Sequence, residues 1–261
     1  MVNDTICRLC GSNSGLVSSH AIPASALRRT KNNGKNIQIK NGRLNEKSQS
    51  DGKAPLLCAE CDSKFLGEFF DKRGSEILNR ARSSDRKLLK RPSSIDVADM
   101  LAGWALSILW RAHHLETPQY ENYRLPDDLA SDIQSKLLTQ KMDPPKYERW
   151  SKSAIISVYL LVDRFDRIDD HQAICAFPSL FRFPSKDGDI HCSSFRIFGY
   201  EFRVVHSERK RFGVKGGARE VLRSGQTVLT PSHHFLDNPY YSDQLCEFAF
   251  LGAQRVTDHH S

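Results

Sequence analysis

The stretch "CRLCGSNSGLVSSHAIP" (residues 7–23) carries one Cys-x-x-Cys pair, and "PLLCAEC" (residues 55–61) carries a second pair with the same spacing. A tight Cys-x-x-Cys turn supplies two of the four thiolates of a tetrahedral zinc site, so two such turns complete it. The spacing therefore predicts structural zinc on four residues, Cys7, Cys10, Cys58 and Cys61. Because four sulfurs leave zinc no open position, any chemistry of this chain must come from other side chains.

The composition is that of a globular protein without a membrane-spanning helix. The chain has 261 residues, 39% hydrophobic and 26% charged, a size that allows one or two domains. Its longest apolar stretch, residues 154–162, is too short to cross a bilayer as a helix. The N-terminus has neither a basic n-region nor an apolar h-region, which predicts a cytoplasmic protein with no membrane partner. A reducing cytosol favours metal over disulfide for paired cysteines.

Positive charge is concentrated in the part of the chain that carries the cysteine pairs. Residues 1–91 contain 18 Lys and Arg against 9 Asp and Glu, whereas residues 92–261 contain 20 against 22. A basic module suits a polyanion such as nucleic acid. A lysine-rich solvated surface explains the charge alone equally well.

Three regions follow one another along the chain. Residues 1–91 are polar. They predict a short strand, "LVSSH" (residues 16–20), that leads into His20, a basic loop over residues 30–53, and a helix that begins near the second cysteine pair. Helical periodicity after residue 92 predicts a helical region, and β-branched and aromatic stretches from residue 152 predict a small antiparallel sheet. We therefore predict an α+β fold with domains at residues 1–91 and 92–261. The second domain has three candidate roles, which are sensing, autoinhibition, and binding of a protein partner or a second copy of the chain.

The residues around the two cysteine pairs resemble a known family. "CRLCGSNSGLVSSHAIP" and "PLLCAECDSKF" resemble the HNH endonuclease pattern, most closely a bacterial HNH-like group with "SHIIP" and "LLC-x-x-CE" motifs. The resemblance covers residues 5–75 and the stretch "LSILWRA" (residues 106–112). It implies a zinc-stabilised treble-clef (ββα-metal) module and metal-dependent hydrolysis of phosphodiester bonds in DNA. By analogy alone, it also suggests a bacterial antiviral defence role.

The resemblance also implies roles for individual residues. His20 matches the histidine that activates water as a general base, since neutral imidazole takes up a proton near pH 7. Asp62 follows the last cysteine and matches a ligand position for catalytic Mg²⁺ or Mn²⁺, hard cations that accept oxygen ligands. Arg28, Arg29 and Lys31 follow the Ala-Ile-Pro segment and are expected to contact DNA phosphates.

Three positions depart from the family pattern. Ser19 stands where a cation ligand is usual, Asp62 stands where a second histidine is usual, and no asparagine matches the one expected ahead of the second cysteine pair. These departures leave two other hypotheses open. One is a catalytically degenerate, zinc-dependent nucleic-acid-binding protein, and the other is a protein–protein interaction module on a treble-clef scaffold.

Overall fold

A computed structural model describes residues 6–29, 31–32, 35–36, 38–40, 43–45, 52–83, 95–143, 154–162, 176–183, 190–207 and 227–234. The helices are α1 (Ala24–Arg29), a π-helix (Glu60–Lys72), α2 (Arg73–Ser83), α3 (Ile95–His114) and α4 (Asp127–Met142). The first six strands are β1 (Val17–His20), β2 (Lys31–Asn32), β3 (Lys35–Asn36), β4 (Gln38–Lys40), β5 (Arg43–Asn45) and β6 (Lys53–Leu57). The others are β7 (Ala154–Val162), β8 (Ala176–Phe183), β9 (Ile190–Ile197), β10 (Tyr200–Ser207) and β11 (Thr227–His234). This mixture of helices and small sheets confirms the α+β class.

Strands β1 and β6 form an antiparallel pair that organises the cysteine turns. The first residue of β1 lies opposite the last residue of β6, and Cys58 follows β6 directly. The Arg8 N–H donates a hydrogen bond to the Leu56 carbonyl at 3.1 Å, which holds the first cysteine turn against β6. The predicted strand that leads into His20 is confirmed as β1.

The segment between β1 and β6 contains short strand pairs. Strands β2 and β3 pair antiparallel, as do β4 and β5. The innermost paired residues are Asn32 with Lys35 and Lys40 with Arg43, and the sequence between them is Asn-Gly in both cases. Asn-Gly between two strands is the strongest short-range hairpin signal. The prediction of a loop over residues 30–53 is therefore wrong where these strands lie.

The helix that follows Cys58 is a π-helix and continues directly into α2. In an i→i+5 helix slightly more than four residues complete a turn, so side chains four or five positions apart share one face. The buried side chains follow this period, and they are Cys61, Phe65, Leu66, Phe69 and Phe70. The sequence predicts the helix but not its π form.

Helix α3 packs closely against the start of α2. Its residues Trp104, Trp110 and Arg111 are each at most 2% exposed. A β-carbon built on Gly74 would lie 2.2 Å from Cε3 of Trp104, far inside van der Waals contact. The Trp104 Nε1–H donates to Asp71 Oδ1 at 2.8 Å, which fixes the ring in this place. Only glycine permits so close an approach of the two helices.

Gly74→Ala is expected to destabilise the protein by about 3 kcal/mol, at the upper end of the usual cost of overpacking a core. The added methyl group would overlap the Trp104 ring, and the ring cannot move without breaking its hydrogen bond. Urea unfolding measures the change, and Glu76→Ala, at an exposed position of α2, is the control. A Gly74→Ala protein as stable as the wild type would contradict this packing.

Strands β7 to β11 form one sheet in the order β11-β7-β10-β9-β8. Its neighbouring strands are antiparallel except β11 and β7, which are parallel. The Phe202 ring lies 5.9 Å from the Trp104 ring, and the Tyr200 hydroxyl donates to the Leu78 carbonyl at 3.3 Å. The sheet therefore shares a hydrophobic core with α2 and α3. The domain boundary between residues 91 and 92 stays a prediction, and these contacts cross it.

Candidate metal centre and active site

The four predicted cysteine ligands lie together beside the β1–β6 pair. All four Sγ atoms are within 4.8 Å of one another, and those of Cys10 and Cys58 are 3.8 Å apart. Tetrahedral zinc with sulfur ligands at about 2.3 Å requires S···S separations of about 3.8 Å. Cys7, Cys58 and Cys61 are at most 2% exposed, as expected of a closed structural site. The four cysteines can therefore bind a metal ion such as zinc, in agreement with the sequence prediction.

Backbone hydrogen bonds shape both cysteine turns. The Gly11 N–H donates to the Cys7 carbonyl at 2.9 Å, and Gly11 has a φ of 72°, which glycine adopts without strain. At the second pair, the N–H groups of Cys61 and Asp62 both donate to the Cys58 carbonyl, at 3.0 and 2.9 Å. Each turn thereby directs its two sulfurs toward the same point.

The surroundings of the cysteines set how readily each thiol ionises. Burial raises the pKa of Cys7 and Cys61, and a hydrogen bond from Lys141 opposes this rise at Cys61. Burial also acts to raise the pKa of Cys58, but hydrogen bonds from the other cysteines, above all Cys61, outweigh it and lower the value to about 7. A thiol that ionises near neutral pH is well suited to bind a metal ion.

Helix α4 contacts the cysteine cluster from the other side. The Lys141 Nζ lies 3.1 Å from the Cys61 Sγ. The Gln134 side-chain amide donates to the carbonyls of Arg8 and Leu9, at 2.9 and 3.3 Å. Both carbonyls belong to the turn between the first two cysteines, so one helix contacts both halves of the site.

His20 and Asp62 lie on the two elements that adjoin this cluster. His20 is the last residue of β1, and Asp62 follows Cys61 in the π-helix. Burial raises the pKa of the Asp62 carboxyl above its ordinary value. A hydrogen bond from Ser19 opposes that rise, as do the charges of Arg111 and His20. The His20 imidazole and the Asp62 carboxyl are therefore within the range of electrostatic interaction.

A buried arginine fixes the end of β1. Arg111 Nη1 and Nη2 donate to the two carboxylate oxygens of Asp71, at 3.0 and 2.7 Å. Nη1 also donates to the His20 carbonyl at 3.0 Å. Arg111 is 2% exposed, so it is too enclosed to bind a substrate. Arg111 is therefore a positioning residue for His20.

The π-helix explains why Asp71 lies near Asp62 although nine residues separate them. In an α-helix, side chains nine residues apart point to opposite faces, at about 100° per residue. The wider turns of an i→i+5 helix bring such side chains back to one face after two turns. The negative charge of Asp71 accordingly acts to raise the pKa of Asp62.

The three predicted DNA contacts follow His20 in the chain. Arg28 is exposed on α1, Arg29 ends α1, and Lys31 begins β2. The side chains of Arg29 and Lys31 lie outside the described part of the structure. The nucleic-acid-binding role of the three residues stays a prediction.

Sequence reasoning missed Asp71, Arg111 and Lys141. Arg111 does give a signal, because it falls in phase with the buried Trp104 on an apolar helix. An arginine predicted to be buried requires a carboxylate partner. Asp71 and Lys141 give no such signal, because each is an ordinary polar residue on the sequence pattern of a surface helix.

Comparisons with protein-family models, curated proteins and solved structures find no match to this chain. Among the residues that the structure describes, no helix has the length and apolar character needed to span a membrane.

Proposed function

We propose that this chain is a metal-dependent endonuclease that hydrolyses phosphodiester bonds in DNA, with an HNH-like treble-clef module at residues 1–91. One arrangement carries the proposal: His20 ends β1 and Asp62 follows Cys61, so both lie on elements that adjoin the four-cysteine cluster. Structural zinc on four sulfurs has no open position, so chemistry would need other groups, and the resemblance implies that His20 and Asp62 supply them. A general base next to an oxygen ligand for a divalent cation suits metal-assisted hydrolysis.

In the proposed reaction, His20 accepts a proton from the attacking water. Asp62 offers a carboxylate oxygen to Mg²⁺ or Mn²⁺. A bound divalent cation supplies charge stabilisation for the phosphate and the leaving oxygen. The Ser19 hydroxyl favours the ionised form of the Asp62 carboxyl, since it acts to lower the pKa of that group. The buried Arg111 binds the His20 carbonyl and so holds the backbone of this residue in place.

The charge of the module supports DNA as the substrate. Residues 1–91 carry 18 basic side chains against 9 acidic ones. The exposed Arg28 lies on α1, which starts shortly after His20. Together with Arg29 and Lys31 it would hold phosphates near the imidazole without reading the base sequence.

A panel of substrates tests this proposal and separates it from its two rivals. Zinc-loaded protein is incubated with duplex DNA, single-stranded DNA and RNA, with and without Mg²⁺ or Mn²⁺. DNA fragments that appear only with the cation support the nuclease. If the protein binds DNA in a salt-dependent manner but leaves it intact, the degenerate binding protein is favoured. If the protein shows no salt-dependent binding of DNA, the protein–protein interaction module is favoured.

A further inference from the structure

We propose that α4, although it lies outside residues 1–91, is part of the metal centre. In this proposal Lys141 offsets the negative charge of the four thiolates, and Gln134 stabilises the first cysteine turn through hydrogen bonds. The inference rests on the four-cysteine site and is independent of the proposed DNA cleavage.

The charge of the site explains the need for Lys141. Four thiolates carry more negative charge than one divalent ion neutralises, so the closed site is anionic. Cys58 and Cys61 are at most 2% exposed, and an uncompensated buried charge is costly. A lysine in the last turn of a helix is ordinary. The Lys141 ammonium, however, lies 3.1 Å from the Cys61 sulfur, within reach of a charge-assisted hydrogen bond.

Gln134 gives the helix a second attachment to the site. Its amide donates to the carbonyls of Arg8 and Leu9, which lie between Cys7 and Cys10. Gln134 and Lys141 are seven residues apart, or about two turns, so they share one face of α4. A single helix face thus contacts both cysteine turns. Metal binding and the docking of α4 should therefore stabilise each other.

Zinc affinity, measured by competition with a chromophoric chelator, tests the role of Lys141. Lys141→Met keeps most of the length of the side chain but removes its charge, and it is expected to weaken zinc binding by about 10- to 100-fold. Lys141→Arg keeps the charge and should bind zinc more tightly than Lys141→Met does.

The matched control is Lys136→Met on the same helix. Lys136 pairs with Asp132 at 3.0 Å on α4 itself, so its loss should leave zinc affinity unchanged. The proposal is overturned if Lys141→Met binds zinc as tightly as the wild type does, or if Lys136→Met weakens binding equally. Full-length protein that binds no zinc would overturn it too.

Hydrogen exchange on the full chain tests the coupling without any substitution. Removal of zinc by a chelator should reduce the protection of backbone amides in α4 as well as in the two cysteine turns. Amides of α4 that keep their full protection while those of the cysteine turns lose theirs would overturn the proposed coupling.

Discussion

His20→Ala is expected to lower the rate of DNA cleavage by at least about 100-fold, the contribution typical of a general base. Alanine cannot accept the proton of the attacking water. The variant keeps the backbone carbonyl that Arg111 binds, so the end of β1 should stay in place. The loss should appear in the single-turnover rate constant, with DNA affinity nearly unchanged, because a general base acts in the transition state.

Ser18→Ala is the matched control for this experiment, because Ser18 is an exposed residue of the same strand. Wild type and both variants should carry equal zinc, so that a lost rate cannot arise from unfolding. If His20→Ala cleaves DNA as fast as the wild type, His20 is not the base.

Arg111→Met is expected to reduce the free energy of unfolding by about 3–5 kcal/mol, the usual result of removing one partner of a buried ion pair. The substitution leaves the Asp71 carboxylate, whose side chain is only 18% exposed, with the Trp104 hydrogen bond but without its positive partner. It also removes the donor that binds the His20 carbonyl. DNA cleavage should therefore fall as well, even at temperatures where the variant is fully folded.

A double-mutant cycle, measured by urea unfolding, separates the contribution of the ion pair to stability from the contribution of Arg111 packing. The double variant Asp71→Asn/Arg111→Met should lose less unfolding free energy than the two single variants lose together. The difference, which is the coupling energy, should exceed about 1 kcal/mol. Arg111→Lys keeps the charge but lacks the planar fork that binds both Asp71 oxygens and the His20 carbonyl. Its free energy of unfolding should therefore lie between those of the wild type and Arg111→Met. An Arg111→Met protein within about 1 kcal/mol of the wild type would contradict this role.

The parts of the structure that depend on local spacing could be predicted from the sequence. The Cys-x-x-Cys spacing is short enough for each turn to be set by its own backbone hydrogen bonds, and the grouping of the four cysteines follows from metal chemistry. The strand before His20 and the helix after Cys58 were likewise visible in the local pattern. The short pairs β2–β3 and β4–β5 were predictable from their Asn-Gly sequences, but the prediction overlooked that signal.

The side chains that surround the candidate site could not be predicted, because their contacts join residues that are far apart in the sequence. Asp71 reaches the site only through the π form of its helix, whereas α-helical spacing places it on the face opposite Asp62. Arg111 meets Asp71 and His20 only after α3 has packed against the earlier helices. Lys141 belongs to a further helix, and no local pattern links it to Cys61.

Nicking of supercoiled plasmid by the zinc-loaded wild-type protein tests the central claim most directly, because one broken phosphodiester bond relaxes the whole circle. We expect relaxed circles to accumulate with Mg²⁺ or Mn²⁺ and to be absent when both cations are withheld. Plasmid that stays supercoiled with either cation, at protein concentrations that bind it, would contradict the claim that His20 and Asp62 form a cation-dependent hydrolytic site.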